Sequence, residues 1–301
     1  MSTTRIGSLV LAAWLLAVVA SCSTDQGGQP AAPEPDLGVV KPAEHNSDIV
    51  FPLDAYKLTP EQVVALKRAD DIVVHRCMKR FGFDAPMPVR TPRPDEGRTI
   101  GVIEEAEAAQ YGYKDPKAME AAREVTAAKA AETSWPAEMM GVLNGEGQSK
   151  VAGVDVPEGG CNGEGRRALG RPDNTSQAPG DVNFVIGLTS RSSVLAEADG
   201  RLKEVFGKWS GCMAEAGYSY RDPWGPNDDP KFGSDVATPE EIATAKTDVF
   251  CRKRFNVNGI WVAVRSAHQR QLIEGNAEAL RQHQERVDEQ LRKAAQVVAG
   301  G

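Results

Sequence analysis

Five cysteines, four histidines and a scatter of carboxylates are the residues of this chain equipped for chemistry. Thiolates attack carbonyls, ligate metals or cross-link, imidazoles move protons, and paired carboxylates hydrolyse glycosidic bonds. Spacing decides among these roles. No Cys-x-x-Cys or Cys/His zinc spacing occurs. Gly-x-Ser-x-Gly, Ser-x-x-Lys, His-Glu-x-x-His, a phosphate loop and a dinucleotide glycine fingerprint are also lacking. His75 and Cys77 lie two apart, which on a helix turns them away from each other. His45, His75, His268 and His283 are dispersed and suggest no triad or metal cluster. Asp222, Asp228 and Asp229 crowd Trp224 in the stretch RDPWGPNDDP. A cation or sugar contact is the functional reading there. The spacing fits no calcium loop, and Asp, Asn, Pro and Gly are ordinary turn formers, so a turn is expected. Arg252-Lys253-Arg254 reads as a solvated helix end rather than a headgroup contact. No catalytic residue, cofactor or metal site is assigned.

Cys22 stands apart from the other thiols. Residues 1–7 are polar and carry Arg5, and residues 9–20 form an unbroken apolar run. That run is shorter than the ~18–20 apolar residues of a spanning helix and has the length of a secretory h-region. It leads into Val19-Ala20-Ser21-Cys22, which resembles the lipobox of bacterial lipoproteins. The resemblance implies that 1–21 is removed and that Cys22 becomes the first residue. Cys22 would then carry a diacylglycerol thioether and, in many bacteria, an N-acyl group. Cleavage by ordinary signal peptidase at a small-x-small site is the alternative. Each buried acyl methylene contributes roughly 0.8 kcal/mol, so Cys22 would hold the mature chain on the membrane without a span. Residues 22–48, with Pro30, Pro33, Pro35 and Pro42 and few large apolar groups, read as a disordered, lipid-anchored tether.

Setting Cys22 aside leaves Cys77, Cys161, Cys212 and Cys251, an even set that in an exported chain suggests two disulfides. Three pairings are open. A degenerate repeat favours one of them. Cys77-Met78-x-x-x-Gly82-Phe83 matches Cys212-Met213-x-x-x-Gly217-Tyr218, and Tyr113-Lys114-Asp115-Pro116 matches Tyr220-Arg221-Asp222-Pro223. Each unit adds one further cysteine, so Cys77–Cys161 and Cys212–Cys251 are preferred. Cys251-Arg252-Lys253-Arg254-Phe255 also echoes the first unit and blurs the repeat.

The elements that position these thiols read as helices. Thr59-Pro60-Glu61 opens one that runs to Phe81 and stops at Gly82. A second is expected to be capped by Ser192 or Ser193, with Leu195, Leu202, Val205, Trp209, Cys212 and Met213 on its apolar stripe up to Gly217. Trp209 reads as core covering a disulfide. Helices are also expected over 103–110, 117–132 and 137–143, and from Thr238-Pro239-Glu240 through Cys251. Residues 144–165 are Gly-rich, with a short strand or an extended loop over 150–156, and 171–180 is a loop. The proline-free tail over 260–298 carries a heptad at Ile273, Leu280, Val287 and Ala294, with Gln284 and Leu291 interleaved. One narrow face packed on its own domain is expected, and a coiled coil with a partner is the alternative.

The predicted fold is therefore mainly α: a disulfide-braced helical domain of two degenerate repeat units, with long Gly/Pro-rich loops and a long C-terminal helix. The parts are a signal peptide (1–21), the tether (22–48), the domain (49–258) and the terminal helix (259–301). A composition of 41% hydrophobic and 26% charged residues is that of a globular protein, and the net charge of −7 argues against nucleic acid. The lipobox, the tether and the Cys-Met-x-x-x-Gly-aromatic units together resemble uncharacterised surface lipoproteins of high-GC Gram-positive bacteria. That resemblance implies the extracytoplasmic face of the cell membrane and carries over no active-site residue. The expected function is a non-enzymatic binding or interaction module, anchored through acyl chains on Cys22, with an envelope protein or glycan as partner. A carrier of a small ligand, recognised by an apolar pocket between helices, and a carboxylate-based cell-wall hydrolase are the alternatives.

Overall fold

Two helices start at the capping residues the sequence places there, Thr59 and Thr238. The computed structural model describes residues 34–92, 100–133, 135–171 and 177–300. The signal segment 1–21, Cys22 and the first part of the tether lie outside the described residues. The chain divides into Met1–Glu34 and a unit Pro35–Gly301. The second unit is mainly helical with two disulfides.

Helix α1 (Pro60–Arg80) starts at Thr59, whose hydroxyl accepts from Gln62 N–H while the Gln62 side chain accepts from Thr59 N–H. Helices α2 (Glu105–Tyr111), α3 (Pro116–Thr133) and α4 (Ala137–Asn144) follow, then a small hairpin of β1 (Lys150–Val151) and β2 (Val154–Asp155). Antiparallel pairing sets Val151 against Val154. The Gly-rich stretch then yields a helix that composition does not announce, α5 (Gly160–Ala168). Its start and the end of α4 meet backbone to backbone: a Cβ on Gly160 would lie 2.3 Å from Gly145 N. That approach sets Cys161 against α1.

The helix expected from Ser192 to Gly217 is two helices. Helix α6 (Val182–Ala198) starts at Asp181 and α7 (Gly200–Glu215) at Asp199, each carboxylate capping two residues on. Ser192 and Ser193 sit inside α6 and turn their hydroxyls back to Thr189 O. Helix α8 (Pro239–Arg254) is capped by Thr238. The long terminal helix expected over 259–301 is also divided, into α9 (Val257–Gly275) and α10 (Ala277–Ala299). Gly275-Asn276 is a weak helix-forming pair, and Asn276 N–H closes α9 on Ile273 O. The break lets α9 pack on α6 and α7 while α10 lies along α1. Leu280 and Ala294 are buried within the domain, so this face of the tail packs on its own unit.

The tether expected over 22–48 also ends sooner. Pro35 and Ala43 are buried, and Leu37 and Ile49 pack on the core around α7 and α9. Arg201 Nη1 donates to Pro35 O (2.8 Å) and Asn258 Nδ2 to Ala43 O (3.3 Å). The two aliphatic side chains supply burial that the proline content masks.

Both disulfides close within the expected units, Cys77–Cys161 with Cα atoms 5.6 Å apart and Cys212–Cys251 at 5.8 Å. The two Cys-Met-x-x-x-Gly-aromatic segments form the same helix end. Gly82 (φ 82°) and Gly217 (φ 88°) turn left-handed, and Phe83 and Tyr218 N–H reach back to Met78 and Met213 carbonyls. The remainder of the units differs. Cys161 opens α5, Cys251 lies near the end of α8, and Tyr113 packs on Phe232 and α8 rather than beside Cys77.

Candidate functional site

An apolar hollow lies where α1, α6 and α10 diverge. It encloses about 600 Å³, within the ~300–1,000 Å³ of small-molecule sites. Leu58 comes from the segment before α1, Val63 and Leu66 from its start, Val185 and Ile186 from α6, and Val287 from α10. Lys57, Lys67 and Arg171 stand at its charged edge.

One side is held by a clamp on the Pro179-Gly180 turn. Gly180 N–H donates to His283 Nδ1 (3.0 Å), Gln290 Nε2 donates to Gly180 O (2.8 Å), and Arg286 Nη1 donates to Pro179 O (2.8 Å). Because Nδ1 accepts, the His283 proton sits on Nε2, which donates to Tyr56 O (3.2 Å). Burial holds the His283 pKa below its ordinary value, against the pull of the Tyr56 carbonyl. His283 is thus a neutral positioning group that ties α10 to the approaches of both α1 and α6. His283, Val287 and Gln290 follow helical spacing on one face of α10. Of these, Val287 is legible in the sequence as a stripe residue, while His283 reads there only as a residue of a polar tail and Gln290 is not singled out.

At the other side Arg171 Nη1 lies 3.7 Å from Asp70 Oδ2. Burial raises the Asp70 pKa and Arg171 opposes the rise. Lys57 Nζ pairs with Asp54 at 2.7 Å. The sequence singles out none of these cations, since their convergence depends on three separated segments.

A second hollow, of about 600 Å³, is bounded by α1 and residues 87–90. Most of its charges are engaged: Arg90 forks Asp71 (2.8 and 2.9 Å), Arg76 donates to Gly300 O (2.8 Å), and His75 Nδ1 meets Ala85 O (2.7 Å), while Arg68 also lines it. His75 is therefore a structural group, and Cys77 is consumed in its disulfide.

The charged cluster near the second disulfide is closed. Asp248 accepts Trp209 Nε1–H (2.8 Å) and Arg252 Nε–H (2.7 Å), while Arg252 also donates to Ile100 O (2.9 Å) and Pro223 O (2.6 Å). Arg252 is 1% exposed. This corrects its reading as part of a solvated helix end. Burial pushes the Asp248 carboxyl up, against the pull of Arg252. Tyr113 donates to Asp248 (3.4 Å), and burial raises its phenol far above the ordinary range. Glu241 accepts Tyr113 N–H (3.0 Å) and lies 3.3 Å from Lys114 Nζ. These groups brace α2, α7 and α8. The Asp-rich loop is a set of turns: Asp222 caps Trp224 and Gly225, Asp229 accepts from Tyr220 OH (2.8 Å), and Trp224 packs edge-on to Phe206.

Among the described residues no group of His, Cys, Asp and Glu is arranged to hold a metal, and no helix is long and apolar enough to cross a membrane. Comparison with family models, curated proteins and solved structures finds no match, so the site rests on its own geometry.

Proposed function

We propose that this is an exported protein, lipid-anchored through Cys22 to the extracytoplasmic face of the cell membrane, and that it acts without catalysis as a small-ligand binding module. The observation that carries the binding role is the apolar groove between α1, α6 and α10 with its cationic edge. Two disulfides support the compartment, because such bonds persist outside a reducing cytosol. The carrier reading thereby moves ahead of docking to an envelope protein or glycan. The groove edge holds three cations and the single acid Asp181, a poor arrangement for carboxylate-pair hydrolysis. The two matching helix ends support descent of the disulfide units from one ancestor.

Native mass spectrometry of the freshly purified chain carrying Cys22→Ser tests the binding role. A co-purifying small organic adduct, lost in Val287→Trp, is expected. A bare protein mass together with no stabilisation by any amphiphile would remove the proposal.

A further inference from the structure

The lining of the groove narrows its ligand, on the reading above that the groove is the binding site. Its interior is a single aliphatic strip of Val63, Leu66, Val185 and Val287, and Val182 and Ile186 extend it outward at 54% and 50% exposure. Bare aliphatic groups at adjacent turns of α6 beside an apolar hollow mark a surface awaiting apolar contact. The lining holds no Trp, and its tyrosine, Tyr56, packs against the cluster of Leu53, Val185, Leu188 and Leu280.

The edge is cationic, with binding capacity to spare. Lys67 is exposed and has no hydrogen-bond or ion-pair partner among the described residues. Arg171 approaches Asp70 only at 3.7 Å, which leaves the donors of its fork uncommitted to that carboxylate. Lys57 is paired with Asp54 and contributes field more than a free donor. The acid in the lining, Asp181, spends Oδ1 on the N–H of Asn183 at 2.7 Å. His283 uses both ring nitrogens on backbone groups. The lining thus combines aliphatic side chains with unspent positive charge on Lys67 and Arg171.

We propose that the groove binds a fatty acid, its single acyl chain laid along the α1–α6–α10 strip and its carboxylate met by Lys67 and Arg171. The chain gains from burial of successive methylenes, and a planar guanidinium matches a carboxylate in geometry as well as charge. Neither group forms a covalent bond with the ligand.

The test uses the full exported chain carrying Cys22→Ser, so that neither detergent nor the anchor's own acyl chains occupy the groove. The probe is 11-(dansylamino)undecanoic acid, compared with its methyl ester by dansyl fluorescence. The acid is expected to bind about tenfold more tightly than the ester, as loss of a charge-assisted contact implies. Lys67→Gln/Arg171→Gln should weaken the acid about tenfold and leave the ester unchanged. Val287→Trp should abolish both. Ile186→Asp, at an exposed position that does not risk the core, should weaken the acid in the same way. Equal binding of acid and ester, with the charge variants silent, would overturn carboxylate recognition and leave the groove standing as a site. No binding of either probe, or binding indifferent to Val287→Trp and Ile186→Asp, would overturn both readings.

Discussion

Replacing Asp248 by Asn tests the claim that a buried charge pair braces the second disulfide. Asn keeps the shape and the Oδ1 acceptor for Trp209, but it leaves the Arg252 guanidinium without its counter-charge at 1% exposure. Breaking one side of a buried pair costs about 3–5 kcal/mol. Arg252 retains the carbonyls of Ile100 and Pro223 as acceptors, so the cost should fall at the low end, about 3 kcal/mol. For a unit of this size that is a drop in Tm of roughly 6–12 °C. Urea unfolding followed by tryptophan fluorescence, without reductant, measures it. The double variant Asp248→Asn/Arg252→Met supplies the control, because it removes both charges. It should be more stable than the sum of the single changes by about 1.5 kcal/mol or more, as expected for residues in one network. A cost below about 1 kcal/mol for Asp248→Asn, or additive single changes, would refute the brace.

Stability should decline as pH falls below about 6.5, the ordinary His value. Burial depresses the pKa of folded His283, so the unfolded chain takes up the proton first and folding loses stability on the acid side. His283→Gln should flatten that slope by up to about 1.4 kcal/mol per pH unit, and an unchanged slope in chemical denaturation would contradict the assignment. By the chain-entropy argument, replacing both members of Cys212–Cys251 by Ser should cost about 4 kcal/mol and of Cys77–Cys161 about 4.5 kcal/mol, the difference following from separations of 39 and 84 residues. Equal or reversed losses in urea would show that the reduced chain keeps structure. Thr59→Ala removes the reciprocal cap of α1 and should cost about 1 kcal/mol, and a neutral result would mean that the end of α1 is held by packing alone.

Local signals are legible in the sequence, and long-range ones are not. Thr59-Pro60 and Thr238-Pro239 mark helix starts by chemistry contained within four residues, and both α1 and α8 begin there. The Cys-Met-x-x-x-Gly-aromatic ends are equally local, which is why the repeat by itself favours one pairing of the thiols. Helix α5 is hidden because its glycines serve a backbone contact with Gly145, a tertiary reason that overrides poor propensity. The breaks at Asp199 and Asn276 are hidden because an apolar stripe continues across them. Arg252 looks solvated among basic neighbours. Its acid-first spacing from Asp248 is the available clue, and only the fold shows that the pair is enclosed. The groove depends on Lys57, Lys67, Arg171, Gly180 and His283 converging from distant segments, so only the stripe on α10 foreshadows it.

Lipid anchoring through Cys22 decides where this chain resides and what holds it there. The mass of the N-terminal peptide from protein extracted from its native membrane measures that directly. A peptide beginning at Cys22 and carrying diacylglycerol is expected, whereas a peptide that retains Met1, or an unacylated Cys22, would contradict the anchor.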